Sequence, residues 1–216
     1  MTREASRSAI VNNNRTIDLG LTSGMIFNAI NHTYNILDAI DSKLVESGSE
    51  RLALLLELAN LSAIVGNLFR GGISISSNDL FIPNKPHTYP DLLSTNPNYD
   101  GIEIKVALEK NKPKGHLIKP GPHLTIRYVL GNDDGTYYLG KKKRGDVVWI
   151  WEVRMGILGE NHFNFSNTEG DSGKTAVINA EGMANLPVVF CDLERCPYSK
   201  SGPIYKDYKM LCCPAK

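Results

Sequence analysis

The sequence predicts an α/β fold in which N-terminal helices pack on one mixed central sheet. Three observations point there. Apolar residues recur at helical spacing as far as Leu68, and from Gly72 onward alternating strands are broken by Gly/Pro turns. A weakly helical stretch and a short apolar run then close the pattern, as a layered α/β domain requires. The 216 residues are enough for one sizeable core and too few for two ordinary domains, so residues 1–216 are read as a single domain.

The first helix is predicted over about residues 23–45, from Ile26, Ile30, Leu37, Ile40 and Leu44. The second is predicted from an N-cap at Ser49, with Glu50 in its first turn, to a stop at Gly71-Gly72. Leu52, Leu54, Leu55, Leu56, Leu58, Leu61, Ile64, Val65 and Leu68 cover most of its circumference, so it is expected in the core. Residues 73–76 alternate, and Leu80-Phe81-Ile82 reads as a strand. A Pro-rich connection (83–97) leads to a strand over 101–108, a basic Pro/Gly loop, a strand over 123–130 and a turn at 131–135. Residues 147–155 read as a further long strand, 175–184 as weakly helical and 188–191 as a last strand.

Net charge is only +1, which argues against a protein that coats nucleic acid indiscriminately. The charge is unevenly placed. Residues 105–145 carry ten Lys/Arg against three acids, a local +7 that leaves −6 for the rest of the chain. A basic surface on a nearly neutral protein suits a polyanion held in one cleft. The start, MTREASRSAIVNNN, has no apolar core of a secretory signal, so a cytoplasmic location is expected. The most apolar stretch, residues 52–68, is interrupted by Glu57, Asn60 and Asn67 and reads as a buried helix, not a membrane span. The four cysteines (Cys191, Cys196, Cys212, Cys213) have poor spacing for a tetrahedral metal site and are expected to be reduced thiols.

The informative segment is Pro90-Asp91 followed by Glu103-Ile104-Lys105. Residues two apart on a strand share a face, ~6.6–6.8 Å apart along it. Ile102, Ile104 and Val106 therefore form one buried face, and Glu103 and Lys105 share the other, at the surface of a cleft. A carboxylate and an ammonium side by side can divide a hydrolysis: the first binds a hard cation, and the second orients or deprotonates the attacking water. Asp91 completes a ligand set of the kind Mg²⁺ favours, with one or two carboxylates plus waters and substrate phosphate. Acid-x-Lys also occurs at Asp41-Ser42-Lys43 and Asp207-Tyr208-Lys209, but only Glu103-Ile104-Lys105 lies on an alternating strand with Pro-Asp before it. Asp100 and Asp79 are weaker choices for the first carboxylate.

This pattern resembles the signature of the PD-(D/E)xK phosphodiesterases, which include most Type II restriction endonucleases. The likeness is close over residues 91–105 and loose in element order from the second helix to Cys191. It implies a restriction-endonuclease-like core, Mg²⁺ as cofactor, and cleavage of double-stranded DNA at a short palindromic site by a homodimer. Several members carry a further acid on a helix near the metal, which would place Glu57 there. The stripe Glu50–Glu57–Asn60–Asn67 equally suits a helix face turned to water. Lys110, Lys112, Lys114 and Lys119, with Lys141, Lys142, Lys143 and Arg144, are candidates for gripping phosphates. The polar segment with Asn161, Asn164 and Asn167 is the candidate for reading base edges. Thr168–Thr175 resembles a P-loop but lacks its first glycine and a preceding strand. Two rivals stay open: a structure-specific repair or recombination nuclease of the same fold, and a non-catalytic nucleic-acid-binding module.

Overall fold

A computed structural model describes residues 3–11, 14–86, 88–166 and 175–212. The chain opens with α1 (Ser23–Glu46), very nearly as its periodicity predicts. The Thr22 side chain caps it by accepting from the backbone N–H of Met25 at 3.2 Å. Ile26, Ile30, Tyr34 and Leu37 form its buried stripe.

The second predicted helix is two helices. A single turn, α2 (Leu52–Leu55), is followed by extended backbone at Leu56 and Glu57 and then by α3 (Leu58–Ser76). Ser49 is not its N-cap; its N–H closes the end of α1 on the carbonyl of Leu44. The start of α2 is held instead by Asp41 of α1, whose Oδ1 accepts from Leu52 N at 2.8 Å. The interruption turns Leu52, Ala53 and Leu56 onto the core and leaves Leu54, Leu55 and Leu58 exposed, so the apolar circumference is not wholly buried.

The other end also differs. Gly71-Gly72 does not stop α3, and residues 73–76 are its last turn instead of a strand. Gly72 serves a crossing: a Cβ there would lie 2.8 Å from Ala29 Cα and 3.0 Å from its carbonyl oxygen. The two backbones approach this closely only because neither residue is large.

β1 (Phe81–Pro83) and β2 (Leu92–Ser94) form a two-stranded antiparallel ribbon within the Pro-rich connection. The central sheet contains β3 (Glu103–Leu108), β5 (Gly121–Gly131), β6 (Val147–Leu158) and β9 (Val188–Cys191), in the order β3-β5-β6-β9. β3 and β5 are parallel, and the remaining pairs are antiparallel. A second antiparallel sheet joins β4 (Lys114–Gly115), β8 (Thr175–Ile178) and β7 (Phe163–Ser166) in the order β4-β8-β7. The expectation of one sheet therefore holds only for the central four strands. Residues 175–184 are the strand β8 and then the short helix α4 (Ala180–Asn185), whose polar N-cap Asn179 accepts from Gly182 N.

α1 and α3 cover one face of the central sheet, whereas α4 and α5 (Pro203–Cys212) lie against the other. The sequence reading missed α5, although Pro203 stands at its first position and Tyr205, Tyr208 and Cys212 face the core at helical spacing. The second face is polar and buried. Glu152 of β6 takes ion pairs from Arg127 and Arg154 and accepts from the Tyr208 hydroxyl, which ties α5 to the sheet. Cys191, Cys196 and Cys212 are free thiols. Among the described residues no helix is long and apolar enough to cross a membrane.

The Ala29–Gly72 crossing and its neighbour make a paired test. Gly72→Ala should lose about 1–3 kcal/mol in urea unfolding, since overpacking outweighs the gain in helix propensity. Gly71→Ala, whose Cβ would meet nothing closer than His32 Nε2 at 4.0 Å, should be neutral or stabilising by up to about 1 kcal/mol. Equal effects at the two positions would remove the crossing as the reason for Gly72.

Candidate active site

β3 is an edge strand, and a cleft of about 850 Å³ wraps its free side. One wall is α3, with Ala63, Asn67 and Arg70. The other is the segment from Asn111 to Lys119 together with Thr175. The floor is β3 itself, Ile104 and Val106 facing α3 and Lys105 facing the opposite wall. Five cationic side chains (Arg70, Lys105, Lys112, Lys114, Lys119) line the cleft against one carboxylate, Asp91.

Asp91 reaches the strand by a short route. Leu92 and Ile102 exchange backbone hydrogen bonds at 3.0 and 2.9 Å in an antiparallel bridge, which sets residue 91 opposite residue 103. Asp91 Oδ2 then accepts from Ile104 N at 2.8 Å. Glu103 stands one residue earlier, on the same sheet face as Lys105. The expectation that both carboxylates lie at the cleft surface is wrong for Glu103, which is 1% exposed. The segment before β5 folds over it, so the second face of the strand is covered as well as the first.

Two ammonium groups meet Glu103. Both Lys105 and Lys119 donate to its Oε1, Lys119 at 2.9 Å. Burial disfavours the Glu103 charge, but Lys105 and then Lys119 outweigh it and hold the carboxyl below its ordinary range. For Asp91, burial dominates and the neighbouring Glu103 adds to it, so its carboxyl is pushed up despite the Ile104 hydrogen bond. The pair thus has the divergent environments often found at reactive sites. Lys105 is fixed in place by its neighbour: a Cβ on Gly115 would lie 3.0 Å from Lys105 Cε and 3.3 Å from its Nζ.

Asp91, Lys105, Lys112, Lys114 and Lys119 are thereby brought together at the cleft, with Glu103 beneath. Glu57 is not. It is the exposed residue before α3, and the helix turns Asn67 and Arg70 toward the site in its place. Lys110 is exposed on the turn after β3, away from the cleft lining. Arg144 is committed to Glu109 at 2.7 Å, and Lys142 and Lys143 lie on the turn that precedes it, outside the cleft lining. Asn161 lies in a 3-10 turn and Asn164 in β7, both outside the cleft lining. Neither Asp79 nor Asp100 lines the cleft. Asn167, residues 168–174 of the segment 168–175 that resembles a P-loop, the side chain of Lys141 and Cys213 lie outside the described residues.

Two features were not read from the sequence. Ala59, Ala63, Gly66, Asn67 and Arg70 form a stripe of small and polar residues on an otherwise apolar helix, a signal that a wall lies there. His123 is beside Glu103 on β5 and fully buried, and burial holds its imidazole below the ordinary range. No sequence signal reveals that placement, because it depends on the parallel pairing of β3 with β5. Glu103 Oε2, His123 Nε2 and Thr125 Oγ1 are buried without a hydrogen-bond partner among the described residues.

Those unpartnered atoms bear on a metal. Among the described residues no group of three or more His, Cys, Asp or Glu side chains could hold an ion. Two carboxylates at one strand end, one with a buried free oxygen, nevertheless fit the needs of Mg²⁺, which completes its shell with water and phosphate. No protein family, curated protein or solved structure matches the chain.

The two carboxylates should respond oppositely to neutralisation. Asp91, with its raised carboxyl, favours folding when protonated; that contribution is complete below its unfolded pKa and is lost as pH rises through the folded one. Glu103 contributes stability above its unfolded pKa and loses it as pH falls through its depressed folded value. At neutral pH Asp91→Asn should therefore raise the melting temperature. Glu103→Gln should cost about 1.5–3 kcal/mol, the usual worth of hydrogen bonds to a charged group, because the two lysines it leaves are only partly buried. A stabilising Glu103→Gln in thermal melts would overturn this account of the pair.

Proposed function

We propose that this chain is a Mg²⁺-dependent endonuclease of the PD-(D/E)xK class, with a restriction-endonuclease-like core, that hydrolyses phosphodiester bonds of duplex DNA. The observation that carries this reading is the meeting of Asp91 and Lys105 in a cleft lined by four further cations, with the carboxylate of Glu103 buried beneath them at the same end of an edge strand. A bound Mg²⁺ would supply charge neutralisation at the phosphate and an activated water.

The roles of the side chains follow from their surroundings. Asp91 and Glu103 would hold the cation, Asp91 with the oxygen not bound to Ile104 N and Glu103 with Oε2, which has no partner among the described residues. Lys105 Nζ has three N–H donors and gives one to Glu103, which leaves two for a phosphate oxygen and the attacking water. Held by Glu103 on one side and Gly115 on the other, it can stabilise the charge that develops in the transition state. Arg70 on one wall and Lys112 and Lys114 on the other grip the phosphates that flank the reacting one. A homodimer would present two such sites to a two-fold DNA target, the arrangement of a Type II restriction enzyme.

Plasmid nicking by the purified protein in Mg²⁺ and in EDTA tests the proposal. Discrete bands from a phage genome are expected, whereas preference for branched over linear duplex would favour a repair or recombination nuclease. Lys105→Ala should bind DNA and cleave at least ~100-fold more slowly. Replacing Lys112 and Lys114 with Ala should lower the slope of log affinity against log salt by about 0.9 for each phosphate that is no longer neutralised. Metal-independent nicking, or full activity of Asp91→Ala, would reject the assignment.

A further inference from the structure

The candidate site is already charge-balanced by its own side chains. Asp91 and Glu103 contribute two negative charges, and Lys105 and Lys119 contribute two positive ones, both donating to the same Glu103 oxygen. A divalent cation added to that set would bring a net +2 into a half-buried cleft that holds three more cations. Such an excess is poorly tolerated where the effective dielectric is low.

The two lysines differ in how firmly they are placed. Lys105 belongs to β3, two residues from Glu103, and its ammonium lies where a Cβ on Gly115 would come within 3.3 Å of it. Lys119 belongs to the irregular segment between β4 and β5 and is half-buried. Its Nζ stands 5.0 Å from the centre of the Tyr89 ring, and the Tyr89 hydroxyl donates to Pro120 O at 2.6 Å. That side-chain bond ties the segment to the chain just before Asp91. Lys119 also lines the cleft, within reach of any anion that enters.

We propose that Lys119 and a divalent cation compete for Glu103, and that a phosphodiester entering the cleft draws Lys119 away. Binding of cation and of polyanion is then positively coupled, each strengthening the other by the same factor. The inference rests on the metal role proposed above for Asp91 and Glu103 and adds a regulator to that site. Lys119 is a positioning residue here: its withdrawal takes a positive charge from the carboxylate that would hold the cation, and it follows the phosphate. The competition also gives a purpose to a contact that a plain surface lysine would not make, since a second ammonium on one carboxylate oxygen adds repulsion with Lys105.

Mn²⁺ binding by electron paramagnetic resonance, on the full chain without DNA, tests the competition. Lys119→Met should bind Mn²⁺ about tenfold or more tightly than wild type, the size of effect that a charge a few ångströms away exerts. Lys114→Met, which removes a cation of the same cleft that does not pair with Glu103, should change it far less. Tyr89→Phe keeps the ring and frees the segment, so it should shift the affinity in the same direction by a smaller factor. It also serves as the informative variant if Lys119→Met fails to fold. Equal Mn²⁺ affinities in wild type, Lys119→Met and Tyr89→Phe would overturn the competition and leave the nuclease assignment standing. Absence of Mn²⁺ binding in every variant would overturn the competition together with the metal role of Glu103.

Discussion

A carboxylate buried at the end of an edge strand has to be neutralised, and the neighbourhood of Glu103 is arranged around that need. Leaving such a group ionised and unpaired costs several kcal/mol, so two ammonium groups converge on it. One comes from the strand itself, at the nearest position on the same face. The other requires the segment before β5 to fold back over β3, which closes the second face of the strand and carries Pro120 to the Tyr89 hydroxyl. Tyr89 is two residues from Asp91, and the Leu92–Ile102 bridge that follows delivers Asp91 to the backbone of Ile104. Asp91, Lys105 and Lys119 are thus placed by one closure around one charge.

The same sheet face holds a second buried carboxylate, and comparison of the two is instructive. The register puts Glu103 beside His123, Lys105 beside Thr125 and Arg154, and Arg127 beside Glu152, a continuous polar stripe across three strands. At the Glu152 end both oxygens are occupied, Oε1 by Arg154 and Tyr208 and Oε2 by Arg127, whose guanidinium also lies over the Trp151 ring. That cluster is complete and secures α5. At the Glu103 end both ammoniums use one oxygen, and among the described residues Oε2 shares its lack of a partner with His123 Nε2 and Thr125 Oγ1. Buried polar networks specify structure when satisfied and carry a cost when they are not. The incomplete one borders the cleft.

Much of the central architecture was legible because it rests on local signals. The periodicity of Ile26 to Leu44 and the alternation of residues 101–108, 123–130 and 147–155 each survive in the structure with small shifts at the ends. The approach of Asp91 to the Glu103 strand was legible from Pro-Asp standing at a fitting distance before the acid-x-Lys pair, and Asp91 does bond to the N–H of Ile104. What failed was non-local. Gly71-Gly72 reads as a helix stop, yet the second glycine is required by Ala29, far away in sequence. Glu57 suits a polar stripe on a continuous helix, but the break at Leu56 removes it and leaves Arg70 and Asn67 to face the site. The burial of Glu103 and the placement of His123 depend on a parallel register and a folded-back loop, neither of which leaves a pattern in the residues. Charge counting found a basic region but could not separate Lys112 and Lys114, which line the cleft, from Arg144, which answers Glu109.

An edge strand beside an open cleft carries a hazard of its own, because its outward backbone groups invite pairing with a foreign strand. Covering β3 with another strand would remove the hazard and would also close off Lys105. The structure takes a different course. Asp91 occupies the outward N–H of Ile104, and β3 beyond that point is flanked by Arg70 on one wall and Lys112, Lys114 and Lys119 on the other. A second copy of this strand would bring Lys105 and its neighbours against those same cations and be repelled. A polyanion meets no such barrier. The charges that make the cleft attractive to phosphate are therefore the ones that let its floor remain a free strand edge, so access for a substrate and protection from aggregation have a common physical cause.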